Sequence, residues 1–246
     1  MEALLTVDPG LEPGIVVIKT SAEKFPERDI PMIGTGVFSR ELDEALLAGE
    51  LDAAVHSLKD LPTDPVEGLS LAAVPARASV ADVLLAKGGS SLEHLPAGCR
   101  VGTGSLRRQA QLLHARPDLE VQPIRGNVET RISQLDENQY GAIVLAEAGL
   151  VRLDLQHRIS QVLPAQIVLP AVGQGALGLE TRTDDDETRG QLASLDDTAT
   201  HSAVIAERSL LVTLRGGCLA PIGAWARWEE DILVLDAVCL DDKGSS

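Results

Sequence analysis

The chain has 246 residues, and its 44% hydrophobic content is enough to bury one large core or two to three smaller ones. Its net charge of -16 and its 2% aromatic content argue against a nucleic-acid partner, which would need clustered basic residues and stacking rings. Because the sequence has neither a membrane-spanning apolar run nor a basic signal segment after Met1, we expect a cytoplasmic protein without a membrane partner.

The cysteines and histidines give no sign of a disulfide framework or of a local metal motif. The three cysteines form no C-x-x-C pair, and the five histidines have no H-x-x-x-H or similar spacing. We therefore expect neither a disulfide nor a bound metal. These residues are Cys99, Cys218, Cys239, His56, His94, His114, His157 and His201.

The first predicted elements are three strands and one helix. The apolar run at residues 14–20 predicts a strand, and residues 38–49 predict a helix with Ser39 as its N-cap. The runs at residues 52–57 and 69–75 predict two further strands.

A second set of alternating strands and helices follows. It consists of strands at residues 99–105, 119–124 and 142–146, a helix over residues 106–116 that Pro117 stops, and a helix that begins after its N-cap Asn127. Strands that alternate with helices are typical of parallel sheets in an α/β architecture.

The last part of the chain has a different pattern. Residues 182–190 are rich in charge and indicate a solvated loop or helix start near a domain boundary. Residues 201–215 predict a helix that ends at a glycine pair, and the runs at residues 222–228 and 232–240 predict a hairpin. We interpret this helix and hairpin as a small α+β unit, with Cys218 on the loop between them.

Basic residues gather at predicted strand-to-helix junctions in this acidic chain. In G-T-G-S-L-R-R, Ser105 can cap a helix whose first N–H groups favour an anion, and the two arginines add donors suited to a carboxylate or phosphate. For that motif alone, an ordinary capped helix with solvated arginines is the alternative. Recurrence of the pattern favours a site for a small anion. The basic cluster comprises Arg107, Arg108, Arg125, Arg131 and Arg152.

The motif V-H-S-L-K-D-L-P-T places Lys59 and Asp60 side by side after a strand. Lys59 can neutralise an anionic ligand. Asp60, near so many cations, is expected to favour its carboxylate form and to pair with a developing positive charge. A surface ion pair worth about 0.5 kcal/mol is the alternative.

Cys218 occupies the turn L-R-G-G-C-L-A-P-I-G. Buried cysteine usually behaves as a small hydrophobic residue within a helix or strand. A thiol on a glycine-flanked turn is more often present for its reactivity, so we expect Cys218 to react with a ligand.

Five motifs of the chain resemble, in the same order, those of the porphobilinogen deaminases, also called hydroxymethylbilane synthases. They are V-H-S-L-K-D-L-P-T, V-G-T-G-S-L-R-R-Q-A-Q-L, I-R-G-N-V-E-T-R-I, L-P-A-V-G-Q-G-A-L-G-L-E and G-G-C-L-A-P-I-G. The resemblance implies an α/β fold of two periplasmic-binding-protein-like lobes with mainly parallel sheets, plus a small α+β C-terminal domain. The expected boundaries are 1–75 with 176–195 for the first lobe, 76–175 for the second lobe and 196–246 for the C-terminal domain.

The resemblance also implies an activity and a cofactor. Such enzymes join four porphobilinogen units head to tail with loss of ammonia on a covalently bound dipyrromethane primer, and water then releases the linear tetrapyrrole. By position, Cys218 would carry the dipyrromethane through a thioether, and Asp60 would be the catalytic residue. The implied partner is the small molecule porphobilinogen, and the implied state is a monomer. The residues that would hold the acetate and propionate groups of cofactor and substrate are Lys59, Ser105, Arg107, Arg108, Arg125, Arg131 and Arg152.

The chain departs from the family pattern in three places. We find no counterpart of the N-terminal R-G-S motif segment, residues 34–38 read G-T-G-V-F without the usual lysine, and the third domain lacks its expected end. The sequence analysis therefore expects a weakly stable chain with little activity. An inactive fragment and a two-lobed anion-binding module are the alternatives to an active transferase.

Overall fold

The computed structural model describes residues 2–7, 9–18, 39–214, 220–241 and 243–244. The helices are α1 (Glu2–Val7), α2 (Arg40–Leu47), α3 (Leu106–Ala115), α4 (Val128–Asp136), α5 (Glu147–Arg152), α6 (Asp186–Ala193) and α7 (Thr198–Thr213). The strands are β1 (Ala54–Ser57), β2 (Leu69–Ala73), β3 (Asp82–Ala86), β4 (Arg100–Gly102), β5 (Glu120–Gln122), β6 (Ala142–Ala146), β7 (Gln161–Leu163), β8 (Leu177–Arg182), β9 (Ile222–Glu229) and β10 (Ile232–Cys239). Short 3₁₀ turns lie at Leu58–Asp60, Lys87–Gly89, Leu92–His94 and Gln156–Arg158.

The first sheet has the strand order β1-β8-β2, and both of its ladders are antiparallel. The central strand β8 therefore comes from a part of the sequence far from its two neighbours. Helix α2 packs over this sheet, and its buried Leu46 contacts Ala54 and Leu69. The strands predicted at residues 52–57 and 69–75 are confirmed as β1 and β2.

The second sheet has the order β5-β4-β6-β3-β7. Strand β4 is parallel to β5 and β6, whereas β3 is antiparallel to β6 and β7. The α/β class is confirmed, but the described sheets are mixed where mainly parallel strands were expected. The reason is that α3 and α4 connect strands as crossover helices, whereas β3 enters directly from an extended segment and need not run parallel.

Apolar side chains fill both faces of the second sheet. Strands β3 and β6 are buried along almost their whole length, as expected for strands covered on two sides. On one face Leu84 and Val144 pack with Leu112 of α3, and on the other Ile143 packs with Ile132 of α4. This core fixes the ends of the strands on which the basic residues stand.

Two of the three predicted helix caps form as expected. The Ser105 hydroxyl accepts a hydrogen bond from the Arg108 N–H at 3.4 Å, and the Asn127 side chain accepts one from the Thr130 N–H at 2.8 Å. Ser39 precedes α2, but its side chain makes no capping hydrogen bond. Its backbone is already helical, and its hydroxyl hydrogen-bonds the Asp43 side chain in place of a backbone N–H.

Two segments without helix or strand structure join the sheets and lie against one another. Residues 74–81 lead from β2 to β3, and residues 164–176 lead from β7 to β8. The Ala78 N–H donates to the Gly175 carbonyl at 3.2 Å, and the Gln174 side chain donates to the Val80 carbonyl at 2.7 Å. The two passages of the chain between the sheets therefore form one hydrogen-bonded strap.

The C-terminal part contains α7 and the antiparallel hairpin β9-β10. The predicted helix and hairpin are confirmed, and residues 182–190 contain the start of α6, capped by Asp185. No helix in the described part of the chain is long and apolar enough to cross a membrane.

Among the predicted elements, the strand at residues 14–20 does not form in its described part. Residues 14–18 have no regular secondary structure and pair with none of the described strands, and Ile15, Val16 and Val17 are exposed. Its apolar pattern alone does not make a strand, because a strand needs a hydrogen-bonding neighbour. Residues 19 and 20 and the segment 34–38 lie outside the described residues. The domain boundaries stay a prediction.

Candidate active site

Most of the predicted site residues stand at the carboxyl ends of strands. Lys59 and Asp60 follow β1, Ser105 and the two arginines of α3 follow β4, Arg125 and Arg131 follow β5, and Arg152 follows β6. Because β4, β5 and β6 are parallel, their carboxyl ends share one edge of the second sheet. Such edges are where open α/β sheets bind ligands.

Arg107 and Arg108 both bind Asp82, which stands at the start of β3. Arg107 Nη2 donates to Asp82 Oδ2 at 2.7 Å, and Arg108 donates to Asp82 Oδ1 from Nε at 3.0 Å and from Nη2 at 2.7 Å. The remaining contacts of these arginines are to the carbonyl oxygens of Leu169 and Val144. Both arginines are buried, so they are not the solvated pair of the alternative interpretation.

Asp82 is a site residue that the sequence analysis missed. It is 1% exposed and also accepts a hydrogen bond from Gln174 Nε2 at 2.9 Å. Although burial alone would raise it, the charges of Arg107 and Arg108 hold the pKa of Asp82 down at about 2. The one available signal was an acidic residue directly before the fully apolar run of β3, an unusual place for an unpaired charge.

Asp60 lies on the 3₁₀ turn after β1 and keeps solvent-exposed surface. Many protein atoms nevertheless surround its carboxyl group, and this desolvation raises the pKa of the carboxyl. Lys59, Arg108 and Arg131 act in the opposite direction. The net change is therefore opposite to the one expected from the neighbouring cations alone, because desolvation outweighs their attraction.

Lys59 belongs to the same electrostatic neighbourhood. Burial lowers the pKa of its ammonium group and the charge of Arg108 adds to this, whereas Asp60 and Asp82 raise it. The backbone of the turn lies against the strap, since a Cβ on Gly173 would be 3.2 Å from the backbone nitrogen of Lys59. The turn after β1 thus faces the basic edge of the second sheet.

The other arginines are placed closer to solvent. Arg131 Nε donates to the Gly126 carbonyl at 2.8 Å, and burial together with Arg108 and Arg125 lowers the pKa of its guanidinium. Arg125 is exposed. Arg152 is also exposed, and its Nη2 donates to the Gly175 carbonyl of the strap at 3.2 Å.

The structure thus gathers Lys59, Asp60, Arg108, Arg125 and Arg131 into one electrostatic cluster, with Arg152 tied to the strap. Within it, burial and the charge of Arg108 lower the pKa values of Lys59 and Arg131, whereas Asp60 raises both. Such a site favours an anionic ligand. Cys218 lies outside the described residues, so its place beside this cluster stays a prediction.

Residues 2–190 match the family model for the porphobilinogen deaminase, dipyromethane cofactor binding domain. The chain belongs to the porphobilinogen deaminase family. Residues 201–246 match the model for the C-terminal domain of the same family. The resemblance seen in the five sequence motifs is therefore confirmed.

Individual relatives agree with the family models. A porphobilinogen deaminase from Desulforudis audaxviator is 51% identical over 222 residues, which are 90% of this chain and 72% of that protein. One from Syntrophobacter fumaroxidans is 46% identical over 241 residues, which are 97% of this chain and 76% of that protein. The chain therefore spans about three quarters of the length of these two porphobilinogen deaminases.

Solved structures with a similar course of the chain are more distant in sequence. A periplasmic substrate-binding protein of an ABC transporter from Coxiella burnetii has a TM-score of 0.48 and 14% identity, over 87% of this chain and 91% of that chain. The periplasmic VFT2 domain of BvgS from Bordetella pertussis has a TM-score of 0.45 and 17% identity, over 85% of this chain and 80% of that chain.

Proposed function

We propose that this chain is a hydroxymethylbilane synthase, a transferase that joins four porphobilinogen units head to tail with loss of ammonia and then releases the linear tetrapyrrole by hydrolysis. Membership of the porphobilinogen deaminase family supports this function. The observation that carries it at the level of residues is the cluster of one carboxylate, Asp60, among cations at the edge of the second sheet. The monomeric state and the cytoplasmic location stay predictions.

The chemistry of the donor set fits a dipyrromethane cofactor, whose rings carry acetate and propionate groups. Arg108 acts on the pKa values of both Lys59 and Arg131, and the carboxylates among the largest influences on these two cations are Asp60 and Asp82. Clustered cations with partial desolvation are costly, so the carboxylates of a bound ligand would stabilise them. When bound, the dipyrromethane supplies the pyrrole end to which porphobilinogen units are added.

We assign the carboxylate contacts to the exposed and partly buried members of the cluster. Lys59 and Arg131 are partly exposed, Arg125 and Arg152 are exposed, and Ser105 stands at the start of α3. Arg107 and Arg108 remain proposed ligand-binding residues, but only through the N–H groups that Asp82 leaves over. Their charges influence the pKa of Lys59 whether or not they touch the ligand.

Asp60 is the proposed catalytic residue. Its carboxylate would accept hydrogen bonds from pyrrole N–H groups and stabilise the positive charge that develops as ammonia leaves. A desolvated setting strengthens both effects, because the low local dielectric strengthens electrostatic attraction. The raised pKa of Asp60 also suits it to receive and pass on a proton.

We predict that Asp60→Asn abolishes chain elongation but leaves the cofactor attached, because the amide keeps the shape and loses the charge. The experiment measures porphobilinogen consumption and intact protein mass in a host that makes porphobilinogen. We expect a loss of activity of at least about 100-fold, the scale of one electrostatic contact in an active site. Asp64→Asn, at an exposed position four residues on, is the matched control and should keep wild-type activity.

Cys218→Ser supplies the second arm of the same experiment. The wild type should carry the mass of one dipyrromethane, and the serine variant should have the mass of the bare polypeptide. Near-wild-type turnover by Asp60→Asn would refute the assigned role. A wild-type protein that binds porphobilinogen without consuming it would favour the anion-binding module.

A further inference from the structure

Three potential metal ligands converge outside the basic cluster. Asp43 lies on α2, His56 on β1 and Glu180 on β8. One ligand atom of each residue lies within 4.8 Å of those of the other two. The histidine spacing could not predict this group, because the three side chains come from separate elements that meet only in the fold.

Buried polar atoms of the group lie close together without satisfying one another's hydrogen bonds. His56 and Glu180 are 6% and 7% exposed, and His56 Nε2 lies 3.1 Å from Glu180 Oε2. Despite this distance, neither atom has a hydrogen bond of acceptable geometry among the described residues, and Asp43 Oδ1 also lacks one. Buried polar atoms in this condition are rare and costly. Two ligand atoms that each lie about 2.1 Å from a tetrahedral metal ion are roughly 3.4 Å apart, so a small shift would fit both atoms to one ion.

The charges of the group call for a cation. Burial raises the pKa of the Asp43 carboxyl against the hydrogen bond from Ser39, and the Glu180 carboxylate adds to the increase. His56 and Glu44 act on it in opposite directions. A single imidazole, even when protonated, balances only one of the two central carboxylates.

We propose that Asp43, His56 and Glu180 bind a divalent transition-metal ion, with Zn²⁺ as the best match. Zn²⁺ accepts imidazole nitrogen together with carboxylate oxygen, whereas Mg²⁺ and Ca²⁺ prefer oxygen ligands alone. Asp43 and Glu180 also line a cavity of about 350 Å³, which has room for a water molecule as the fourth ligand. The Ser39 hydroxyl would orient the Asp43 carboxylate.

The role of the ion would be structural. It would link α2 to β1 and β8, and β1 leads directly into the turn that carries Lys59 and Asp60.

The test uses the whole chain after treatment with a chelator and gel filtration. Titration calorimetry with Zn²⁺ should give one site that is at least tenfold weaker in Glu180→Gln. His201→Gln is the matched control, because among the described residues His201 Nδ1 contacts a single carboxylate, Asp196 Oδ1, at 2.8 Å. It should bind Zn²⁺ like the wild type. Equal affinity in the wild type and Glu180→Gln would overturn the proposal.

Co²⁺ provides a readout that does not depend on a variant. A cobalt ion on one nitrogen and two oxygen ligands should show a d–d absorption band without sulfur-to-metal charge transfer. No band, or a thiolate charge-transfer band, in the wild type would place the metal elsewhere or nowhere and refute the site. Circular dichroism of Glu180→Gln and of His56→Gln checks folding, and if both unfold, the cobalt spectrum of the wild type decides.

Discussion

Asp82 accepts hydrogen bonds from two arginines and a glutamine while only 1% of it is exposed. An isolated carboxylate in that position would be prohibitively desolvated, and so would the two guanidinium groups. The attraction between Asp82 and the two arginines offsets the cost of burying each charge. The positions of Arg107 and Arg108 in the proposed anion site therefore depend on Asp82.

We predict that Asp82→Asn lowers the free energy of unfolding by about 3 kcal/mol, the usual scale for breaking a buried ion pair. Urea unfolding at neutral pH measures it. Asp136→Asn is the control, because Asp136 pairs with Arg158 at an exposed position, and its loss should cost under about 1 kcal/mol. Equal effects of the two substitutions would contradict the role given to Asp82.

The pH dependence has a definite sign. Asp82 has a pKa of about 2 when folded and an ordinary value of 3.8, so its contribution is complete above about pH 4. It is lost as the pH falls from there toward 2. The Asp82→Asn variant should lack this part of the acid sensitivity, and the difference in stability between it and the wild type should shrink in that range.

At the scale of elements, the strap depends on a glycine whose backbone is left-handed. Gly175 has a φ of 84°, and a Cβ there would lie 2.5 Å from the Ser79 carbonyl oxygen and 2.7 Å from that of Ala78. Both neighbours are backbone atoms, so neither can move without shifting the strap. The close pairing of the two segments requires glycine at this position.

We predict that Gly175→Ala destabilises the chain by more than about 2 kcal/mol, since the strain and the clash act together. Gly190→Ala is the matched control. Gly190 lies in α6 with ordinary dihedral angles and open space at its Cβ position, so alanine there should be neutral or stabilise by up to about 1 kcal/mol. Thermal unfolding of both variants decides, and a neutral Gly175→Ala would mean that the strap can separate.

The sequence predicted several elements with a regular apolar pattern but not all of them, since β3 is a largely apolar run and was not predicted. Strand β6 is a continuous apolar run and was predicted, as were the caps Ser105 and Asn127. Strand β8 was not predicted, because Glu180 and Thr181 interrupt its apolar pattern although both are buried. A buried polar residue is recognisable only when its partner is known, and its partner lies far away in sequence.

The same limit applied to the candidate site. Motif and position identified Lys59, Asp60 and the arginines, but neither distinguishes a guanidinium that faces a ligand from one that faces a buried carboxylate. Arg107 and Arg108 belong to the second kind, and Arg125 and Arg152 are exposed. That distinction depends on tertiary packing alone.

For the molecule as a whole, Glu207 joins the C-terminal part to the rest. It is fully buried in α7 and accepts hydrogen bonds from Arg77 Nη1 at 2.7 Å, from the Gly173 N–H at 2.7 Å and from the Ala226 N–H at 2.8 Å. Arg77 and Gly173 belong to the two segments of the strap, and Ala226 belongs to β9. One carboxylate thus holds three parts of the chain at a single point.

We predict that Glu207→Gln lowers the free energy of unfolding by about 3 kcal/mol, because it leaves Arg77 buried without a counter-charge. Glu229→Gln, which removes an exposed partner of Arg227, should cost under about 1 kcal/mol. Denaturant unfolding followed separately by tryptophan fluorescence of the hairpin and by circular dichroism should show two transitions in Glu207→Gln. A single unshifted transition would contradict the linking role.

The position of β8 between β1 and β2 also has a consequence for biosynthesis. Both outer strands leave the ribosome more than a hundred residues before the strand that pairs with them, and the entire second sheet, complete at residue 163, is made in between. The nascent chain must therefore carry two apolar segments without partners while the later sheet is free to fold first. Translation speed and chaperone occupancy over residues 74–182 should thus govern the yield of folded protein more than the same variables do near either end.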